Sequence, residues 1–304
     1  MSSKSTNSRD VAVKTAALAI LGIIAAGRVA QTAPFNDLFV FGDSYSDTGA
    51  FFPLTNGSTA VGYLAQDLGI TLTTSKNPMP GTSGVNFAES GARVDVGPTP
   101  PATQPRSLTQ QVGEFQNYVS TGALTFDPNS SLFLLLGGLN DHTRATPEQI
   151  GAATTNQVTT LYGLGARYFE IGLLPSAVPV FTDSATNLNP EYKALVPQLQ
   201  AEFPDAVIHL SDWGPDYDDI IANPSKYGIT NTTDPCFDLT TGKQTCTTPD
   251  TYFYYYIVHP SDAAHHIVGD ELYQEALDLK VPEPISAAIL TTGLLALGFV
   301  RKRL

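Results

Sequence analysis

The chain has 304 residues, 42% hydrophobic and 10% aromatic, enough for the core of one α/β domain of ordinary size. Its formal charge is −13, and its 16 Lys and Arg are spread along the whole length, so no clustered basic surface is available for a nucleic-acid backbone. Acidity of this kind mainly keeps an exported protein soluble.

Lys4, Arg9 and Lys14 precede an apolar run over 16–26, with the small residues Ala30 and Ala33 beyond it. Positive charge, a short apolar core and then small residues are the order of a secretory signal peptide, and the run is too short for a membrane span. Residues 1–33 are read as a signal peptide and 34–280 as one domain. A retained N-terminal anchor is the alternative for the first segment.

Within 34–280, continuous apolar runs stand at 38–41, 132–136, 168–173 and 206–210, with a weaker one at 85–87. Such runs suit strands buried on both faces. Between them, Leu108, Val112, Phe115 and Val119 share one helical face. Thr146-Pro147-Glu148 opens a helix running to Leu164 with a cap residue and a first-position proline. A last helix starts at Ser261 and turns Ala264, Ile267, Val268, Leu272 and Ala276 inward, while the Pro-rich stretch 98–105 reads as a surface loop. Strands alternating with helices predict an α/β fold with a mainly parallel five-stranded sheet, whose active groups gather beyond the carboxyl ends of the strands.

Cys236 and Cys246 lie close together in a loop rich in Thr, Asp and Gly. In an exported chain they are expected to form a disulfide around a small ring, and no second Cys or His cluster accompanies them to suggest a metal site. Further on, Val281-Pro282-Glu283-Pro284 leads into an apolar stretch over 285–300 and a basic end, Arg301-Lys302-Arg303. At about 1.5 Å per residue this helix could only just cross a hydrocarbon core, with its basic end cytoplasmic.

Four segments carry chemistry. The run Phe41-Gly42-Asp43-Ser44-Tyr45-Ser46-Asp47 follows the first strand. A serine hydroxyl needs a base to become a nucleophile, so Ser44 alone reads more readily as a turn or cap residue. Gly84 to Ala92 follows the second strand, and there Gly91 would leave its N–H open to a substrate carbonyl; Asn86 is expected to brace the loop. After the most hydrophobic strand, Gly137-Gly138-Leu139-Asn140-Asp141 presents the Asn140 amide as an uncharged donor, with Asp141 fixing the turn. Oxyanion donors of this sort are worth roughly 3 to 4 kcal/mol each. Lastly, His259-Pro260-Ser261-Asp262 sets an imidazole just ahead of the last helix, whereas His142, His209, His265 and His266 have no partner motif and are read as structural.

In this order the four segments resemble the blocks of the SGNH hydrolases, also called the GDSL lipase/esterase family, with Ser44, Gly91, Asn140 and His259 at the named positions. The similarity runs from Asp37 to Asp278, and Asn223-Pro224-Ser225-Lys226-Tyr227-Gly228 is similar to extracellular bacterial and fungal members. It implies a flavodoxin-like three-layer α/β/α sandwich and hydrolysis of carboxylic esters through an acyl-serine. Ser44 and His259 are then catalytic, the Ser44 N–H, Gly91 N–H and Asn140 amide form the oxyanion hole, and no cofactor and no metal take part. Expected substrates are short-chain acyl esters or acylated carbohydrate, with lipid a further option. The tail over 281–304 resembles the PEP-CTERM sorting signal of Gram-negative bacteria. That likeness implies processing by an exosortase-type machinery, transient membrane association, and a final place at the cell surface or outside the cell; a plain C-terminal anchor is the other reading.

One position departs from the family. An aspartate usually stands three residues before the catalytic histidine, and here Tyr256 occupies that place. A backbone carbonyl could hold the imidazole in a Ser–His dyad, another acid such as Asp250 or Asp262 could fold in, or the protein could be a catalytically silent binding or matrix protein. Asp262 with His265 would restore the spacing, but within a helix. The dyad with His259 is the preferred arrangement.

Overall fold

The computed structural model describes residues 33–49, 54–76, 82–95, 105–141 and 144–280. The stretch 1–33 read as a signal peptide lies outside these but for residue 33, as do the Pro-rich stretch 98–105 but for its last residue, the tail over 281–304 likened to PEP-CTERM, and His142.

Six strands form the main sheet: β1 (Asp37–Gly42), β2 (Leu72–Thr74), β3 (Gly84–Asn86), β4 (Ser131–Leu136), β5 (Tyr168–Gly172) and β6 (Val207–Ser211). Their order is β2-β3-β1-β4-β5-β6, and every pairing is parallel. The central pair explains itself from sequence: β4 is buried at every position and β1 at all but its first, as strands covered on both faces must be. One face of the pair is aromatic. Phe39, Phe41 and Phe133 meet Phe115 from the overlying helix at ring separations of 5.0, 5.9 and 5.5 Å, mostly edge to face.

The helices are α1 (Ala60–Asp67), α2 (Leu108–Ser120), α3 (Pro147–Gly163), α4 (Thr182–Glu202), α5 (Trp213–Ala222) and α6 (Asp262–Asp278). Helices α2, α3 and α4 pack successively on one another, and α6 packs against both α1 and α5, giving the two outer layers of an α/β/α sandwich. Both α2 and α3 start in capping boxes, Ser107 with Gln110 and Thr146 with Gln149. In α6 the inward line is Ala264, Val268, Leu272 and Ala276, joined by His265 and Gly269, with Ile267 only half-buried. Gly269 allows the close approach to α1, since a Cβ there would stand 2.4 Å from Tyr63 Cβ and 2.9 Å from the Ala60 carbonyl.

One feature departs from the sequence expectation and two more go beyond it. The sheet has six strands rather than five, because Leu72–Thr74 adds an edge strand whose half-buried Leu-Thr-Thr gives no apolar run. Helix α4 contains Pro190 and Pro197, which look like breakers in sequence; seven positions apart, both are exposed, so the backbone carbonyls they leave unbonded can turn to water. A small second sheet, β10-β9-β7-β8, joins β7 (Phe237–Asp238), β8 (Lys243–Gln244), β9 (Tyr254–Tyr256) and β10 (His259–Pro260). The Cys236–Cys246 disulfide ties the β7–β8 hairpin, and Phe237 pairs with Tyr256.

Omitting the edge strand, the order β3-β1-β4-β5-β6 reverses direction at β1, which places a crevice beyond the carboxyl end of that strand. Elsewhere the core holds acids at a cost. Glu170 of β5 is fully buried, both carboxyl oxygens lack partners, and burial followed by the nearby Glu275 charge pushes its pKa well above the carboxylate range. Burial is also the main cause lifting Glu275 and Asp216 to about 7. The folded protein therefore binds more protons than the unfolded chain above the ordinary carboxylate pKa, and stability falls as pH rises through these values. Thermal melts should show Tm declining between about pH 5 and pH 8, with Glu170→Gln flattening the decline; a Tm that rises over this interval would contradict the assignment of neutral buried acids.

Candidate active site

The turn that ends β1 is gripped by one side chain from α2. Gln111 Oε1 accepts from the Gly42 N–H at 2.9 Å, and Gln111 Nε2 donates to the Gly42 carbonyl at 2.9 Å, so the backbone entering the turn is held in both senses. Nothing in the sequence singled out Gln111. From Gly42 the chain turns tightly, with the Ser46 and Asp47 N–H groups donating to the Asp43 carbonyl. Ser44 sits in this turn at 7% exposure, its hydroxyl shielded but reachable. Asp43 beside it is fully buried, and burial raises its pKa to about 8, so the carboxyl is neutral at pH 7 and sets no negative charge beside Ser44.

His259 arrives from the second sheet. Strands β9 and β10 pair Tyr256 with His259 across the two-residue turn Ile257-Val258. Ile257 has φ +52°, a left-handed conformation that costs a β-branched residue about 1 to 3 kcal/mol and persists only where its surroundings hold it. Tyr45 does part of that holding: its hydroxyl donates to the Val258 carbonyl at 2.5 Å, from a ring buried among Phe181, Trp213 and Tyr217. The residue after Ser44 thus fastens the Ser44 turn to the His259 hairpin.

The two side chains meet. His259 Nε2 lies 2.9 Å from Ser44 Oγ, across 215 residues of sequence, and His259 Nδ1 lies 3.2 Å from the Tyr256 carbonyl oxygen. A carbonyl can only accept, so in the neutral ring Nδ1 carries the proton and Nε2 offers its lone pair to the serine hydroxyl. Burial lowers the His259 pKa to about 4, partly opposed by the Tyr256 hydrogen bond. Among the described residues no Asp or Glu forms an ion pair with His259. Asp262, one candidate for the displaced acid, accepts instead from the Ser58 N–H at 2.8 Å and the Tyr63 hydroxyl at 2.5 Å. His265 is fully buried with Nδ1 2.7 Å from the Tyr217 hydroxyl, and burial, then the neighbouring His259, lowers its pKa to about 3.

Gly91 and Asn140 come from the ends of β3 and β4, the two strands flanking β1. Asp47 reaches from the Ser44 turn to accept from both the N–H and the hydroxyl of Ser90, each at 2.8 Å, and so sets the position of Gly91. Gly91 has φ +84°, and an added Cβ would meet only Pro105 Cγ at 3.4 Å; among protein atoms it is this backbone conformation, not crowding, that requires glycine. Asn140 Nδ2 donates one hydrogen to the Ala92 carbonyl at 2.9 Å, and among the described residues the second has no acceptor. Asp141 accepts from the Val94 N–H at 3.0 Å, so the β3 and β4 loops are stitched together, and Asn86 binds the Ser46 carbonyl at 2.6 Å. Neither the Ser44 nor the Gly91 N–H donates to another group among the described residues. No cluster there of three or more His, Cys, Asp or Glu is placed to hold a metal.

A doubly wound parallel sheet with a paired hydroxyl and imidazole at its switch point and open N–H groups alongside has the form of a hydrolase site. Residues 38–272 match the family GDSL-like Lipase/Acylhydrolase. The chain belongs to that family and is a carboxylic ester hydrolase. One GDSL esterase/lipase of Arabidopsis thaliana is 25% identical over 345 residues, covering 88% of this chain and 97% of its own length. A second from the same plant is 26% identical over 325 residues, covering 82% and 84%. Among solved structures, a lipolytic G-D-S-L family protein from Veillonella parvula aligns with TM-score 0.44 at 13% identity, covering 78% of this chain and 96% of its own. A family 3 carbohydrate esterase from Clostridium thermocellum aligns with TM-score 0.46 at 12% identity, covering 81% and 97%.

Two outcomes follow from the geometry around His259. If this imidazole must be neutral to accept a proton, the acid limb of kcat/KM falls near pH 4 rather than 6.5, because activity is lost only as His259 becomes charged; a limb at the ordinary imidazole value would show that burial does not govern the ring. His259→Ala should lower kcat by at least about 10⁴-fold, whereas His265→Ala should lower Tm and leave most of kcat. The reverse pattern would place the base on α6.

Proposed function

We propose that the protein is an exported serine esterase that works with a Ser44–His259 dyad. Ser44 Oγ attacks the ester carbonyl while its proton passes to His259 Nε2. The oxyanion that forms is held by the Ser44 N–H, the Gly91 N–H and the free hydrogen of the Asn140 amide. His259 then gives its proton to the departing alcohol, leaving an acyl-serine, and water repeats the sequence in reverse roles. The observation that carries this reading is the 2.9 Å Ser44–His259 contact with the far ring nitrogen already satisfied by the Tyr256 carbonyl.

The missing carboxylate has a price in rate. A ring whose pKa drops from 6.5 to about 4 resists charging by about 3 kcal/mol more than an exposed one. Part of this is recovered in the transition state, where the oxyanion supplies the opposite charge. The correct tautomer is kept, so the penalty is smaller than for a triad whose imidazole is left in the wrong one. The same absence favours a second reading, a silent binding or matrix protein that has kept the fold.

We assign the protein to the cell surface or exterior of a Gram-negative bacterium. The support is sequence alone: the n-region and apolar core within 1–33, and the Pro-Glu-Pro spacer, apolar stretch and basic end over 281–304, which would bring transient membrane association and exosortase-type processing. Short-chain acyl esters, including acylated carbohydrate, are the proposed substrates, with lipid the less favoured choice because the sequence offers no long apolar lid segment.

A fluorophosphonate probe should label the purified protein at Ser44, and p-nitrophenyl acetate should be cleaved faster than p-nitrophenyl palmitate. Label lost in Ser44→Ala with turnover lost alongside is the expected result. No label and no hydrolysis in the parent protein would leave the binding-protein reading standing, and faster cleavage of the long chain would refute the acyl preference.

A further inference from the structure

Beside the loops that carry Gly91 and Asn140 lies a cleft of about 460 Å³ between the segment Arg93–Asp95 and the first turns of α3. Arg93 is two residues beyond Gly91, Arg144 is four beyond Asn140, and both residues line it, Arg93 half-buried and Arg144 exposed. Neither makes an ion pair or side-chain hydrogen bond among the described residues. Asp141, behind them, feels both charges yet spends a carboxyl oxygen on the Val94 N–H. In a chain of net charge −13, two arginines on one wall whose charges meet only the buried Asp141 at longer range, with no ion pair among the described residues, leave room for an anion. Helix chemistry does not account for them. Arg144 stands two residues ahead of the α3 N-cap Thr146, at the positive end of the helix dipole, where a cation is unfavourable and an anion welcome. The remaining polar lining is Asp95, Gln149 and Asn156, and Gln149 spends its carbonyl oxygen in the capping box, so its amide hydrogens are not used there.

We propose that this cleft binds a carboxylate carried by the substrate, and that the natural substrate is an acylated acidic carbohydrate whose uronate group docks on Arg93 and Arg144 while its ester lies at Ser44. The proposal rests on the esterase reading and adds a substrate class to it. Guanidinium forks match a carboxylate in two parallel hydrogen bonds, and the neutral amides of Gln149 and Asn156 suit the hydroxyls of a sugar ring. This cleft itself offers nothing to an acyl chain, since the exposed large hydrophobics among the described residues are Val180, Val207, Leu239 and Ile257 and none borders it; Val180 and Ile257 line a separate cavity of about 400 Å³ beside the His259 turn. The acidic surface elsewhere does not prevent anion binding here, because its field is screened beyond roughly 8 Å at physiological ionic strength, whereas contact pairs inside a cleft are screened less.

The test uses a short oligogalacturonate without ester groups as an inhibitor of p-nitrophenyl acetate hydrolysis, with a neutral cello-oligosaccharide of equal length as control. The acidic oligomer should inhibit more strongly than the neutral one. Replacing both arginines, Arg93→Gln with Arg144→Gln, should raise its inhibition constant by about tenfold or more while kcat/KM for p-nitrophenyl acetate stays within about twofold. Arg93→Lys, which keeps charge but loses the fork, should fall between, and unchanged Tm in each variant separates lost binding from lost folding. Equal inhibition by both oligomers, or an inhibition constant indifferent to the arginines, would overturn the proposal. So would retention on phosphatidylglycerol vesicles that depends on the arginines when the acidic oligomer fails to bind. Should p-nitrophenyl acetate not be cleaved at all, calorimetric titration of the same two oligomers still decides the cleft, and only the esterase reading falls.

Discussion

A hydrogen bond of 2.9 Å joins Ser44 to His259 across 215 residues of chain, and the rest of the site is arranged around keeping that distance. The bond itself cannot hold the two segments together, since a neutral hydrogen bond contributes only about 1 kcal/mol net. The distance is instead set by packing. β1 and β4 are buried almost throughout, Gln111 fixes the end of β1, and Tyr45 ties the turn after it to the Ile257-Val258 turn that presents His259. Within this frame persist the left-handed Ile257 and the Ser44 and Gly91 N–H groups, which have no acceptor among the described residues. A folded protein tolerates such features where the surroundings over-determine them, and they cluster where substrate would bind.

Electrostatics at the site runs toward neutrality. Burial raises the Asp43 pKa to about 8 and lowers that of His259 to about 4, so both groups are uncharged at pH 7 although one is an acid and the other a base. The Tyr256 carbonyl directs the imidazole without adding a charge of its own. A carboxylate in that place would stabilise imidazolium more strongly. In the proposed mechanism the carbonyl does the orienting half of the task and leaves the charge half to the oxyanion, so proton transfer would depend on a bound substrate.

Much of this was readable from the chain before any coordinates. The central strands announce themselves as apolar runs because both faces are buried, and the helix starts at Ser107 and Thr146 follow from capping chemistry that is local in sequence. Ser44, Gly91, Asn140 and His259 each stand in a short motif at a strand or hairpin end. What stayed hidden is what depends on distant contacts. The edge strand Leu72–Thr74 has no apolar signature because it is half-exposed, and α4 is masked by two prolines that face solvent. Gln111 acts on Gly42 across 69 residues, and no local pattern marks a glutamine for that task. Asp47 and Tyr45 sat inside the serine motif, yet their reach to Ser90 and Val258 needed the fold. A backbone carbonyl in place of the missing aspartate is the preferred reading of the sequence, but which one is not legible there: it belongs to Tyr256 itself, the residue that fills the aspartate's place.

The central claim is that a main-chain carbonyl, not a carboxylate, sets the state of the imidazole facing Ser44. Nitrogen-15 NMR of the His259 ring tests it most directly, because it reads which ring nitrogen bears the proton and at what pH the ring charges. The account predicts a single neutral tautomer protonated at Nδ1, persisting until the pH approaches 4. A ring protonated at Nε2 in the neutral form, or one that charges near 6.5, would contradict it.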